Sequence, residues 1–254
     1  MKKLLAMLTA VISICAFTGC SDSKDENKDF TSSGKSSAAD EKDSGAEDKK
    51  ESNNDDAGSS SGKSFDDFEF GSIDGNVYSS PFSGLCFTAP EGWEYSSQEQ
   101  ILQMMNLGTD MLGNKGELYK TIAQQTSIYE MHCVNPISGD NMIIMYENLN
   151  TYANIADSFD NDSYLDAVMT QFEALEASGI TYELESKENV TVAGKEFLKA
   201  DFNCTNETYG YSTSQSYYIA KDGEYMTILL GTLGTASELD SISELESCFS
   251  PYNE

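Results

Sequence analysis

From Ser21 to about Ser64 the chain is built of Ser, Gly, Asp, Glu and Lys with almost no apolar residues. Such a segment cannot bury enough surface to offset the entropy lost on ordering. It predicts an unstructured tether, and it confines any packed core to residues 65–254, a length near the upper end for one domain. As a coil the tether reaches roughly 35–40 Å root-mean-square. Within it, Gly58-Ser59-Ser60-Ser61-Gly62 spells the G-x-S-x-G nucleophile pattern. That pattern has meaning only on a strand–turn–helix elbow, and a flexible linker provides none.

Ahead of the tether stand Lys2 and Lys3 and then an apolar run from Leu4 to Phe17. A charged start and a run of that length read as a signal peptide over residues 1–19, too short for a permanent membrane span. The run ends in Ala16-Phe17-Thr18-Gly19-Cys20, which resembles a bacterial lipobox, with Phe17 where that family usually has Leu. The resemblance implies diacylation of Cys20, and two acyl chains make a durable anchor. The expected location is therefore the extracytoplasmic face of a cell membrane, with residues 20–64 holding the domain off the lipid surface. Asn161, Asn189, Asn203 and Asn206 begin N-x-S/T triplets, which Asn-rich polar sequence produces by chance.

Charge excludes whole classes of partner. Of the 43 acidic and 15 basic residues, 12 acids and 7 lysines lie in the tether and Lys2 and Lys3 precede it, so residues 65–254 carry 31 acids against 6 lysines and no Arg. Nucleic-acid binding needs clustered positive charge, and anionic ligands are repelled. Cations, neutral glycans, peptides and basic proteins stay open as partners. The only histidine, His132, falls in a predicted strand. A lone His rules out multi-His metal sites and disfavours a Ser-His-Asp arrangement. It reads as an ordinary surface or sheet residue. No cofactor and no metal site is expected.

Cys86, Cys133, Cys204 and Cys248 lie too far apart for a CxxC pair or a zinc knuckle. Two disulfides among them and four buried thiols are both open readings. Alternation places Cys133 with Tyr129 and Met131, and Cys204 with Leu198, Ala200 and Phe202, on the apolar faces of their strands.

Strands are predicted at 77–80, 84–89, 127–134, 142–147, 180–185, 190–192, 195–205, 215–220 and 224–230, with tight turns at Ala193-Gly194 and Asp222-Gly223. A capping box at Ser96-Ser97-Gln98-Glu99 starts a first helix that stops at Gly108, and a second short helix covers 118–125. A longer helix over 163–178 carries Leu165, Val168, Phe172 and Leu175 on one stripe, capped by Asp162 and ended by Gly179. A last helix starts at the box Thr235-x-x-Glu238. Hairpin-linked strands with separate helices indicate an α+β fold, an antiparallel sheet covered by helices.

Three landmarks carry a further resemblance. Gly84-Leu85-Cys86-Phe87-Thr88-Ala89-Pro90-Glu91-Gly92-Trp93 is similar to a strand, Pro-x-Gly-Trp, helix opening. Tyr217 to Met226 resembles a late hairpin, and Ile242-Ser243-x-Leu245-x-x-x-Phe249 a closing helix that ends near a Phe. Together they resemble the PsbP-like superfamily, which includes DcrB-type bacterial lipoproteins, across roughly 76–250. The resemblance implies an α/β/α sandwich and an accessory, non-enzymatic role. It brings no shared catalytic residues.

Four groups are candidates for contact with a ligand. Trp93 either stacks on one or packs the first strand end against the first helix. Met104, Met105 and Met111, with Leu107 and Leu112, either line an adaptable groove or fill the core. Tyr209, Tyr211, Tyr217 and Tyr218 form the leading candidate for a binding surface, with an exposed edge strand as the alternative. Asp157, Asp160, Asp162 and Asp166 surround the start of the long helix, where helix capping competes with Ca²⁺ binding. The reading is a non-catalytic, lipid-anchored envelope module that binds or scaffolds a protein, peptide or glycan. The alternatives are an envelope glycoside hydrolase with paired carboxylates and a cation-binding module.

Overall fold

The computed structural model describes residues 68–152 and 159–253. The predicted signal peptide and tether, Cys20 and Asp157 lie outside the described residues. The strands form two antiparallel sheets. In the smaller, β1 (Ser72–Asp74), β2 (Val77–Ser80) and β3 (Leu85–Thr88) lie in order beside β11 (Phe249–Pro251). The larger contains β4 (Glu94–Tyr95), β5 (Ser127–Val134), β6 (Asn141–Asn148), β7 (Ile180–Val192), β8 (Lys195–Asn206), β9 (Tyr211–Asp222) and β10 (Tyr225–Leu233), in the order β4-β5-β6-β10-β9-β8-β7. Among the described residues four α-helices accompany them: α1 (Gln98–Met104), α2 (Lys115–Ile122), α3 (Asn161–Leu175) and α4 (Ser243–Glu246). The fold is α+β.

The central strands follow from composition. β6 and β10 are buried at every position and read as nearly unbroken apolar runs. The edge strand β7 is one continuous strand, not the two predicted pieces. Its exposed Glu, Ser, Lys and Asn imitate a loop, yet they are the charged, bulged edge that discourages pairing with other chains. The turn to β8 uses Ala193 and Gly194, both at positive φ, as a two-residue hairpin requires.

Burial separates the two faces of the large sheet. Tyr146 meets Phe68 and Phe82 on one face, and Phe82 stacks on Tyr225 at 5.0 Å. Tyr78 of the small sheet reaches the same face, where its hydroxyl donates to Glu130. Ile143, Leu230 and Tyr217 are register partners across β6, β10 and β9. Ile143 lies three residues from Tyr146, so this row points the other way. There α3 buries Tyr164, Leu165, Val168 and Phe172, and Phe172 stacks on Tyr182 at 3.8 Å. Gly231 belongs to the Tyr146 face. A Cβ on it would stand 2.5 Å from Ile242, so the glycine is what lets the C-terminal segment lie down on the sheet.

Local capping signals compete with tertiary partners, and three expectations change as a result. Ser96 is tied to β5 by its backbone N–H to the His132 carbonyl, so the capping box moves one residue on, to Ser97 and Gln100. The helix then stops at Asn106, in the left-handed region, before Gly108 is reached. Helix α3 starts two residues early because Asp160, not Asp162, forms the reciprocal cap with Ser163. Asp162 pairs with Lys187 instead. The box at Thr235 does not form. Asp140 accepts the Gly234 N–H and the Ser237 hydroxyl, both at 2.8 Å, and holds those residues in turns. Only the short α4 remains helical, its start held by Glu244 accepting the Asp240 N–H at 2.7 Å.

Candidate functional site

Register places Ser186 opposite Asp201, Asp201 opposite Ser216, and Lys199 opposite Tyr218. All five share one face of β7–β9, and the C-terminal segment passes over them. Between strands and segment lies a cleft of about 260 Å³. Glu185, Ser186, Asp201, Ser214, Ser216 and Asp240 are among its lining residues.

Lys199 is the structural centre of this region. It is only 5% exposed. Its Nζ donates to Ser243 Oγ at 2.8 Å and to Glu246 Oε1 at 3.1 Å, and stands 3.8 Å from Asp201 Oδ1. The ammonium lies 5.5 Å from the centre of the Tyr218 ring. The Tyr218 hydroxyl donates to Glu246 Oε1 at 2.7 Å. Burial first, and the Glu246 carboxylate second, hold that phenol far above its ordinary pKa, so it stays a donor.

Two of the cleft's serines are committed as donors to Asp201. Ser186 gives its only hydroxyl hydrogen to Asp201 Oδ2 at 2.6 Å, and Ser216 gives its own to Oδ1. Toward the cleft both serines therefore present lone pairs. Asp201, Glu185 and Asp240 are acceptors when ionised. The one cation in the lining is engaged with Ser243 and Glu246. With three carboxylates and one engaged lysine, the lining is rich in acceptors and negatively charged.

The residues singled out from sequence do not form one surface. Tyr217 and Tyr218, neighbours on β9, point to opposite faces and are 2% and 1% exposed. Tyr217 packs on Phe172 and Phe202. Tyr209 is 77% exposed at the β8–β9 turn, with its ring centre 6.4 Å from that of Tyr211. Trp93 is partly buried against the core, as are Met104 and Met111, and Met105 is buried within it. The methionines pack in or against the core.

The four cysteines are thiols, with no disulfide among the described residues. Cys133 and Cys204 are buried, Cys86 and Cys248 partly so. Burial pushes the Cys133 thiol up to about 12, which makes it a poor nucleophile at neutral pH. Cys133 and Tyr129 do not share a face. A bulge between Tyr129 and Met131 shifts the alternation and turns Glu130 into the core.

His132 is more buried than a surface residue, and desolvation lowers its pKa to about 4. Ser96 Oγ lies 2.8 Å from its Nδ1. Among the described residues no carboxylate orients this ring, so the pair clasps β4 to β5. Asp160 and Asp162 are engaged as cap and ion pair, and no group of three or more His, Cys, Asp or Glu among the described residues is arranged to hold a metal.

No protein-family model matches the sequence, and no curated protein does. Among solved structures, the chain is similar to the cyanobacterial PsbP of Synechocystis sp. PCC 6803 at 12% identity, over 74% of this chain and 99% of that one, with a TM-score of 0.43. A protein of Bacteroides thetaiotaomicron VPI-5482 is 15% identical over 72% of this chain and 50% of its own, with a TM-score of 0.35. A Pseudomonas aeruginosa protein of unknown function is 16% identical over 38% of this chain and 60% of its own, with a TM-score of 0.26.

Proposed function

We propose that this chain is an extracytoplasmic lipoprotein, anchored through Cys20, whose domain is a non-catalytic module that binds an ammonium-bearing group of a protein, peptide or glycan. The observation that carries the binding reading is the acceptor-rich cleft around Asp201, whose lining lysine is already engaged. Residues 65–254 carry 31 acids against 6 lysines. A cleft walled by one sign of charge concentrates the opposite sign. An amino sugar and a lysyl side chain share the chemistry that fits.

The anchoring reading rests on Lys2, Lys3, the apolar run to Phe17 and the lipobox-like Ala16 to Cys20. No helix among the described residues is long and apolar enough to cross a membrane. The landmarks at 84–93, 217–226 and 242–249 support a PsbP-like, DcrB-type α/β/α sandwich. The glycoside-hydrolase alternative needs a carboxyl kept protonated near neutral pH. Among the described residues, the two carboxyls that burial weakens as acids, Glu130 and Glu147, are sealed in the core and do not line the cleft.

Calorimetric titration tests the binding reading with glucosamine, Nα-acetyl-lysine amide, glucose and glucose 6-phosphate. Saturable binding of one or both amines, at least tenfold tighter than glucose and weakened at least tenfold by Asp201→Asn, is the expected result. Preference for the phosphate sugar, or no saturable binding to any of the four, overturns it. The anchor is tested separately by palmitate labelling in the native host, where Cys20→Ser should abolish both the label and membrane retention.

A further inference from the structure

Glu147 of β6 is 0% exposed and stands far from the cleft chemistry, on the face of the large sheet that α3 covers. Its register partners are Ser127 on β5 and Met226 on β10. Oε2 accepts the Ser127 hydroxyl at 3.0 Å, and Oε1 accepts the Tyr152 hydroxyl. Tyr129 of β5 and Tyr164 of α3 are close enough to feel its charge. The Tyr164 hydroxyl is buried with no hydrogen-bond partner. No ion pair among the described residues reaches Glu147. Lys221, the cation on this face of β9, donates its Nζ to the Phe159 carbonyl at 2.6 Å. Asp160 and Asp162 at the head of α3 are held by Ser163 and Lys187.

The position of Tyr152 gives the carboxyl its leverage. Tyr152 follows the short turn Leu149–Thr151 at the end of β6. Its ring meets Phe159 at 6.2 Å, and Phe159 meets Tyr164 at 6.1 Å. One carboxyl therefore ties the end of β6 to the first turn of α3 through the Tyr152 hydroxyl and three rings.

We propose that Glu147 is a proton-operated latch between Tyr152, at the end of β6, and the head of α3. While neutral it holds Ser127 and Tyr152 in a dry pocket, and on ionising it admits water and loosens the head of α3. Desolvation by burial pushes its pKa from 4.5 up to about 7, against the smaller, opposing pull of the two hydroxyls. The folded value lies above the unfolded one, so the closed form binds the extra proton between them. The stabilisation is complete below the unfolded value and is lost as pH rises toward and through 7. Glu130 carries the same sign on the opposite face, among Tyr78 and Tyr146.

Amide hydrogen exchange of the full chain between pH 5 and 8, corrected for intrinsic rates, tests the latch. The opening equilibrium of amides in 160–166 should rise by up to about tenfold per pH unit between pH 5 and 7 and level off above. Glu147→Gln should leave those amides without the rise, while Glu130→Gln should keep it. Should Glu147→Gln fail to fold, Tyr152→Phe serves. It keeps the carboxyl but removes a bond to its ionised form, so the levelling-off point should move to higher pH. A flat wild-type profile, an unchanged rise in Glu147→Gln, or an unmoved levelling-off point in Tyr152→Phe overturns the proposal.

Discussion

On one face of the large sheet Lys199 is withdrawn from water and meets Glu246, Asp201 and Ser243. On the other, Glu147 is withdrawn just as far and meets only hydroxyls. The contrast lies in where a counter-charge comes from. The C-terminal segment brings one to Lys199 through Glu246. No ion pair among the described residues reaches Glu147, and burial raises the pKa of its carboxyl. The first arrangement suits recognition. The second suits sensing of pH.

Breaking the charged side should cost most. Lys199→Ala leaves Glu246 and Asp201 without their cation. Because those side chains are 28% and 27% exposed, the loss should fall somewhat below that of a fully buried pair, at about 2–4 kcal/mol by urea denaturation. Next comes Gly231→Ala. Its Cβ would press on Ile242, so a loss of about 1–3 kcal/mol by the same method is expected, together with weaker amine binding as the cleft wall is displaced. On the neutral side the sign reverses. Tyr164→Phe deletes a buried hydroxyl that has no partner, and should raise stability by up to about 1 kcal/mol. The smallest effect belongs to Tyr209→Ala at the exposed turn, within about 0.5 kcal/mol in stability and without change in amine affinity.

Much of the scaffold was legible because its signals are local. The alternation at 77–80, the apolar runs of β5 and β6, the stripe of α3 and the turns at Ala193-Gly194 and Asp222-Gly223 each lie within one short stretch of sequence. The errors share a cause. Ser96, Asp162 and Thr235 are good caps by local rules, but His132, Lys187 and Asp140 determine what their segments do. The tyrosine cluster dissolved because period-2 geometry sends adjacent residues to opposite faces, which the pair Tyr217-Tyr218 already implied. The cleft could not be read at all. Lys199 and Asp201, two apart on one strand face, were a faint signal, but Glu246 lies 47 residues from Lys199 along the chain. Glu130 was hidden by a bulge that sequence alternation does not reveal.

The most direct test of the binding claim is to follow backbone amide NMR shifts of the domain while glucosamine is added. Saturable shifts confined to Glu185–Ser186, Lys199–Asp201, Ser214–Ser216 and Asp240–Ser243 are predicted. Shifts centred on Tyr209 and Tyr211, or none that saturate, would contradict the claim that the acceptor-rich cleft is where this protein meets its ligand.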